Sequence, residues 1–151
     1  LAEARKAGIE VRERFIDALC LDVLQRPADY DVIVTTNMFG DILSDVTAYL
    51  VGGLGLLPSG NIGTDHSLFE PVHGSAPDIA GRNIANPIAA FRSAAMLLHH
   101  IGEHASCVLI EQAIKNTIER GILTRDLGGT AGTREFAGSV LSDLRALTPP
   151  R

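Results

Sequence analysis

Tryptophan is absent, cysteine and methionine occur twice each, and aromatic residues make up only 5% of the 151 residues, so any core must be chiefly aliphatic. No apolar run reaches the roughly 18 residues of a membrane span, because Leu50 to Leu57 is cut by Gly52, Gly53 and Gly55. The first residues carry neither a basic n-region nor an apolar h-region, so no secretory signal is expected there. Positive charge is also in short supply: 13 Lys plus Arg stand against 18 Asp plus Glu, a net charge of −5. With those cations scattered, no extended nucleic-acid or anionic-membrane surface is expected. Cys20 and Cys107 have no CxxC or Cys/His spacing around them. They read as buried free thiols, and a cytoplasmic setting follows as the expectation. Low complexity is missing too, since 46% hydrophobic and 21% charged residues are ordinary for a globular chain. The length suits one domain or two unequal pieces of a larger architecture.

What is present alternates between short apolar runs and helical stripes. Ala2 to Ala7 favours helix and stops at Gly8. Ile9 to Phe15 alternates as a half-exposed strand would, and Val32 to Val34 is a short continuous run of the kind found in buried strands. Leu19, Cys20, Val23 and Leu24 form a helical stripe before Pro27. A second stripe starts near Phe39 and ends at Gly52. Leu54 to Ser67 reads as loop and Leu68 to Val72 as a strand. Asn86-Pro87 predicts a helix start with Asn as cap and Pro in the first position, the helix running to Gly102. Further helices are predicted from about His104 to Arg120 and from about Thr133 to Leu147, before Pro149 and Pro150. Strands followed by helices define an α/β class.

Two segments can carry chemistry. Asp41 and Asp45 lie four apart in a predicted helix, and like charges at that spacing repel unless something neutralises them. A hard divalent cation would do so. On spacing alone the simpler role, acidic residues complementing a helix start, is favoured. Asp17, also at a helix start, is by itself a solvated first-turn Asp. The second segment runs from Glu70 through His73, Gly74, Ser75, Ala76, Asp78 and Ile79 to Asn86. Its small residues allow a ligand close to backbone N–H groups, as phosphate and ribose binding require. A tight structural connection explains the composition equally well. No GxGxxG is present, so a Rossmann fingerprint is absent. Gly128 to Thr133 could cradle an anion or simply end in a Thr cap. His99, His100 and His104 read as dipole partners or surface groups.

Asp31 to Asp45 (DVIVTTNMFGDILSD), Leu54 to Ser59 (LGLLPS), Phe69 to Pro87 (FEPVHGSAPDIAGRNIANP) and Asp126 to Thr133 (DLGGTAGT) together resemble the β-decarboxylating dehydrogenases, which act on isopropylmalate, isocitrate, homoisocitrate or tartrate. The resemblance spans nearly the whole chain from Val11. It implies the isopropylmalate-dehydrogenase-like α/β sandwich without a Rossmann motif, here as the C-terminal portion. Residues 1–50 would come from the dimer-forming, metal-binding domain and 51–151 from the dinucleotide-binding domain.

The implied reaction is NAD-dependent, Mg²⁺- or Mn²⁺-dependent oxidative decarboxylation of a 3-substituted malate, 3-isopropylmalate first, with isocitrate, homoisocitrate or tartrate as alternatives. The implied protein is a homodimer acting on a small 2-hydroxy acid. Matching residue by residue, Asp41 and Asp45 take the place of metal ligands, with Asp17 reaching across from the second subunit. Glu70, His73, Gly74, Ser75, Ala76, Asp78, Ile79 and Asn86 match the cofactor segment. The family's catalytic Lys and Tyr and its arginine cluster lie upstream: Lys6, Lys115, Tyr30 and Tyr49 match none of them, so this chain alone is expected to be inactive. A non-catalytic regulatory paralogue of the same fold is the alternative of another class.

Overall fold

Aliphatic residues spaced three and four apart decide where helices form in the computed structural model, which describes residues 1–148. The helices are α1 (Ala2–Lys6), α2 (Ile16–Gln25), α3 (Asn37–Ala48), α4 (Ile88–His100), α5 (His104–Glu119) and α6 (Thr133–Leu147). One antiparallel hairpin, β1 (Pro58–Ile62) with β2 (Ser67–Pro71), stands between α3 and α4. Pro149 and Pro150, expected to follow the last helix, lie outside the described residues. No helix among those described is long and apolar enough to cross a membrane. The chain divides into two units, Leu1–Leu50 and Val51–Arg151.

In the first unit, α2 packs on α3 around buried Leu19, Val23 and Leu43, with Ile16, Cys20, Tyr30 and Ile33 against them. Arg26 and the Tyr30 hydroxyl both donate to the Asp22 carboxylate. Those bonds, Arg26 first and Tyr30 second, hold the Asp22 carboxyl below its usual range and push the Tyr30 phenol up. Neither expected strand forms here. Ile9 to Phe15 and Val32 to Val34 run without ladder hydrogen bonds, and Val32 and Val34 are 81% and 83% exposed. A strand needs a neighbour to satisfy its backbone groups, and within the described residues neither run has one.

In the second unit, α4 packs on α5 and on both strands, and α5 packs on α6. Ile88, Ala113, Ile114, Phe136 and Val140 form its buried core. Each of the larger side chains contributes roughly 1.5–3 kcal/mol by leaving water. α4 and α5 both end at glycines in the left-handed region, Gly102 (φ 89°) and Gly121 (φ 78°). In each case the following N–H reaches back to the last turn, Glu103 N to Leu98 O and Ile122 N to Thr117 O, as a Schellman ending requires. Arg120 locks α5 to α6 by donating to both carboxylate oxygens of Asp143, at 2.8 and 2.7 Å, and to the Ser139 hydroxyl.

β1 occupies part of the stretch read as loop from sequence. Pro58, Gly60 and Asn61 are poor strand formers, and packing overrides them. Gly60 faces Phe69 across the ladder, and a Cβ there would come within 3.2 Å of the Phe69 ring and 3.1 Å of Met96 Sδ. The missing side chain is what lets those two cover the strand. The two cysteines are free, but half-buried rather than buried.

Candidate functional site

Stretches far apart in the second unit meet around a groove of about 850 Å³: Leu54 and Gly55, the loop from His73 to Asn86, Arg125 and Asp126, and the start of α6 at Thr133 and Arg134. The loop turns twice through the left-handed region at residues other than glycine, Ala76 (φ 42°) and Asn83 (φ 57°), with Gly81 (φ 74°) between them. No other described non-glycine residue has a positive φ, and such strain concentrates where surrounding structure fixes a working shape. A short 3-10 turn, Pro77–Ile79, follows Ala76.

Hydrogen bonds join the loop to the opposite wall. Asn86 Nδ2 donates to Asp126 Oδ2 at 2.8 Å, while Asn86 Oδ1 accepts from Ile88 N at 2.9 Å, so one amide braces the wall and holds the first N–H of α4, whose cap residue is Pro87 and not the expected Asn86. The fully buried Thr124 hydroxyl donates to the other Asp126 oxygen at 2.6 Å. Glycines permit the approach: a Cβ on Gly55 would meet Asp126 Oδ2 at 3.0 Å, and one on Gly129 would lie 2.1 Å from the Leu123 carbonyl oxygen. The Gly128–Thr133 run is therefore occupied by packing. Its expected Thr cap is not formed, since the cap residue of α6 is Gly132 and the Thr133 hydroxyl donates to the Ala85 carbonyl at 2.6 Å.

Of the residues matched to a cofactor segment, His73, Gly74, Ser75, Ala76, Ile79 and Asn86 line the groove; Glu70, on β2, and Asp78 do not. His73 Nδ1 lies 3.0 Å from the Gly74 carbonyl, which only accepts, so Nδ1 is the donor in this contact. A Cβ on Gly74 would touch nothing within 4 Å, so the space beside this glycine is open. Asp78 is exposed at the 3-10 turn, and its carbonyl accepts from Arg82 Nη1 at 3.4 Å. The wall made by Asn83, Arg125, Asp126 and Arg134 was not picked out from sequence. The Asp-Leu-Gly-Gly run was visible, but nothing local says that it faces residues 83–86.

The acidic residues sit in the first unit. α3 begins at Asn37 with Thr36 as cap residue, so Asp41 and Asp45 lie beyond the first turn, where the helix dipole no longer repays a negative charge. The helix-start role favoured on spacing alone fails for both. Both are exposed and, among the described residues, neither pairs with a cation; Asn37 Nδ2 donates to Asp41 Oδ2 at 3.2 Å. Asp17 does sit in a first turn, that of α2, where its Oδ1 accepts from Ala18 N at 2.8 Å. Among the described residues, no group of three or more His, Cys, Asp or Glu side chains could hold a metal ion. The donor chemistry of two uncompensated carboxylates one turn apart still fits a hard cation completed by outside ligands.

The described residues mix helices with one antiparallel hairpin and cover part of a larger fold. The chain belongs to the isocitrate/isopropylmalate dehydrogenase family, which it matches over residues 1–140. It is 52% identical over 139 residues to an isocitrate/homoisocitrate dehydrogenase of Thermus thermophilus, covering 92% of this chain and 42% of that protein. It is 49% identical to a 3-isopropylmalate/3-methylmalate dehydrogenase of Methanocaldococcus jannaschii, covering 91% of this chain and 41% of the relative. The fold matches the crystal structure of isocitrate dehydrogenase from Methylococcus capsulatus with a TM-score of 0.85 at 47% identity, over 95% of this chain and 44% of that one. The chain thus spans less than half the length of these relatives.

Proposed function

We propose that the full protein oxidises and decarboxylates a 3-substituted malate with NAD⁺ and Mg²⁺ or Mn²⁺, 3-isopropylmalate being the first candidate and isocitrate or homoisocitrate the second. The observation that carries this reading is the groove, where a strained loop with an open glycine faces a braced wall and most of the residues matched to the cofactor segment come together. Backbone N–H groups around Gly74 and Ser75 would receive the pyrophosphate, and Asp78, outside the groove lining but exposed on the turn between Ala76 and Ile79, would accept hydrogen bonds from ribose hydroxyls that reach past the rim. Asp41 and Asp45 would hold the divalent cation, with Asp17 contributed by a second copy in a homodimer. When bound, that cation supplies positive charge that polarises the substrate's C2 oxygen and offsets the negative charge left as CO₂ departs.

The test uses the full-length protein with 3-isopropylmalate, isocitrate, homoisocitrate and tartrate, each with NAD⁺ or NADP⁺ and either metal. Reduced nicotinamide should appear with at least one substrate and vanish with a chelator. No reduction with any of them sinks the reading in favour of a non-catalytic paralogue. The 151-residue chain alone should turn over none, and detectable turnover would contradict the proposed upstream location of the remaining catalytic groups.

A further inference from the structure

Asn83 is the point at which the groove loop is joined to α6. Its left-handed backbone (φ 57°) aims peptide and side chain at the same target. Its carbonyl accepts from Thr133 N at 3.1 Å and its Oδ1 from Arg134 N at 2.9 Å. Both donors are first-turn N–H groups of α6, which have no partner within their own helix. Gly132 completes the fit, because a Cβ there would lie 2.5 Å from Asn83 Nδ2 and 2.9 Å from the Asn83 carbonyl oxygen. Asn83, Thr133 and Arg134 all line the groove.

If the chain needed only the turn, glycine would serve better, since it takes positive φ without steric cost. Asparagine accepts some strain there and offsets it through the Oδ1 bond to α6. We infer that Asn83 is a positioning residue for the dinucleotide: it holds the loop from His73 to Asn86 against α6 before the ligand arrives, so that ordering the loop is not charged to binding. The inference rests on the dinucleotide reading of the groove.

The experiment compares the full-length wild type with Asn83→Gly and Asn83→Asp. Direct titration with NAD⁺ and NADP⁺, steady-state kinetics and amide hydrogen exchange across residues 73–86 are the readouts. Asn83→Gly keeps the turn and loses the bond, so the dinucleotide Kd and KM should rise about fivefold, the equivalent of the ~1 kcal/mol net of an intramolecular hydrogen bond. The loss should fall on KM more than on kcat, and exchange across 73–86 should quicken in the cofactor-free protein. Asn83→Asp should restore tight binding, because its carboxylate accepts the same N–H and suits a helix start. Wild type that binds dinucleotide, with Asn83→Gly binding and exchanging just as it does, overturns the positioning role alone. Wild type that binds neither dinucleotide overturns the reading of the groove and the role with it.

Discussion

The two units solve the same problem with unequal means. The second encloses Ile88, Ile114, Phe136 and Val140 with at most 1% of their surface exposed, whereas the most deeply buried members of the first unit's cluster, Val23, Leu43 and Leu19, retain 4%, 6% and 8%. The first unit also leaves Phe15, Val32, Val34 and Tyr49 more than 80% exposed. Its carboxylates sit on a helix with little behind it, while the groove stands on three packed helices. A chemical group held within about half an ångström needs locked neighbours. The groove has them within its own unit, whereas Asp41 and Asp45 stand exposed on α3.

The sharpest way to break this contrast is to cut the chain between the units. Residues 51–151 alone should keep slowly exchanging amides in α4, α5 and α6, and residues 1–50 alone should keep none. Equal protection in both pieces would erase the distinction. Next in size, Phe136→Ala in the full-length protein should cost about 3–5 kcal/mol in denaturant unfolding, against no more than about 2 kcal/mol for Leu19→Ala in its shallower cluster. Equal losses would mean that the first unit is as tightly packed in the complete protein.

Two chemical tests sharpen the contrast further. Asp41→Asn or Asp45→Asn should weaken divalent-metal affinity and turnover at least tenfold, about 1.4 kcal/mol, and Asp17→Asn likewise in a dimer that shares the site. Metal titrations unchanged from wild type in all three would return these residues to the solvated surface. On the groove side, wild type should favour NAD⁺ over NADP⁺ by about tenfold or more, because the 2′-phosphate brings roughly −1.5 to −2 charges towards Asp78. Asp78→Lys with Ile79→Tyr should reverse that ratio of kcat/KM, and an unmoved ratio discards the role.

The smallest effect concerns acid. The Arg120 guanidinium holds the Asp143 carboxyl below the usual carboxylate range, with a further hydrogen bond from Thr117. A depressed folded-state value means that the unfolded chain binds the proton first, so stability is full above the unfolded carboxylate range and falls as pH drops through the folded one. Asp143→Asn should flatten the acid limb of unfolding for the second unit. A limb as steep as wild type's would remove Asp143 from its causes.

Much of this could be read from residues alone wherever the signal was local. α4, α5 and α6 followed from aliphatic spacing and from Gly102, Gly121 and the Asn86-Pro87 pair, and their bounds agree to within a residue or two, although the cap residue of α4 is Pro87 and not Asn86. Local signal misled where a partner decides the outcome: Val32 to Val34 has strand composition but no neighbour among the described residues, and β1 has a neighbour but not the composition. The groove divides in the same manner. His73 to Ile79 stood out through small residues, whereas Asn83 acts only because Thr133 and Arg134 fold back onto it. No window of a few residues contains that information.

The walls of the groove are distant in the chain. The bonds that join them, Asn86 to Asp126, Thr133 to Ala85 and Arg134 to Asn83, close separations of 40, 48 and 51 residues, with α4 and α5 lying between. Closing such long loops is slow and comes after local helix formation. During synthesis the groove stays incomplete until the start of α6 has been made, since Thr133 and Arg134 are part of its lining. If the groove takes the dinucleotide, capture by an immobilised nucleotide would separate molecules with α6 docked from chains whose helices have formed without docking.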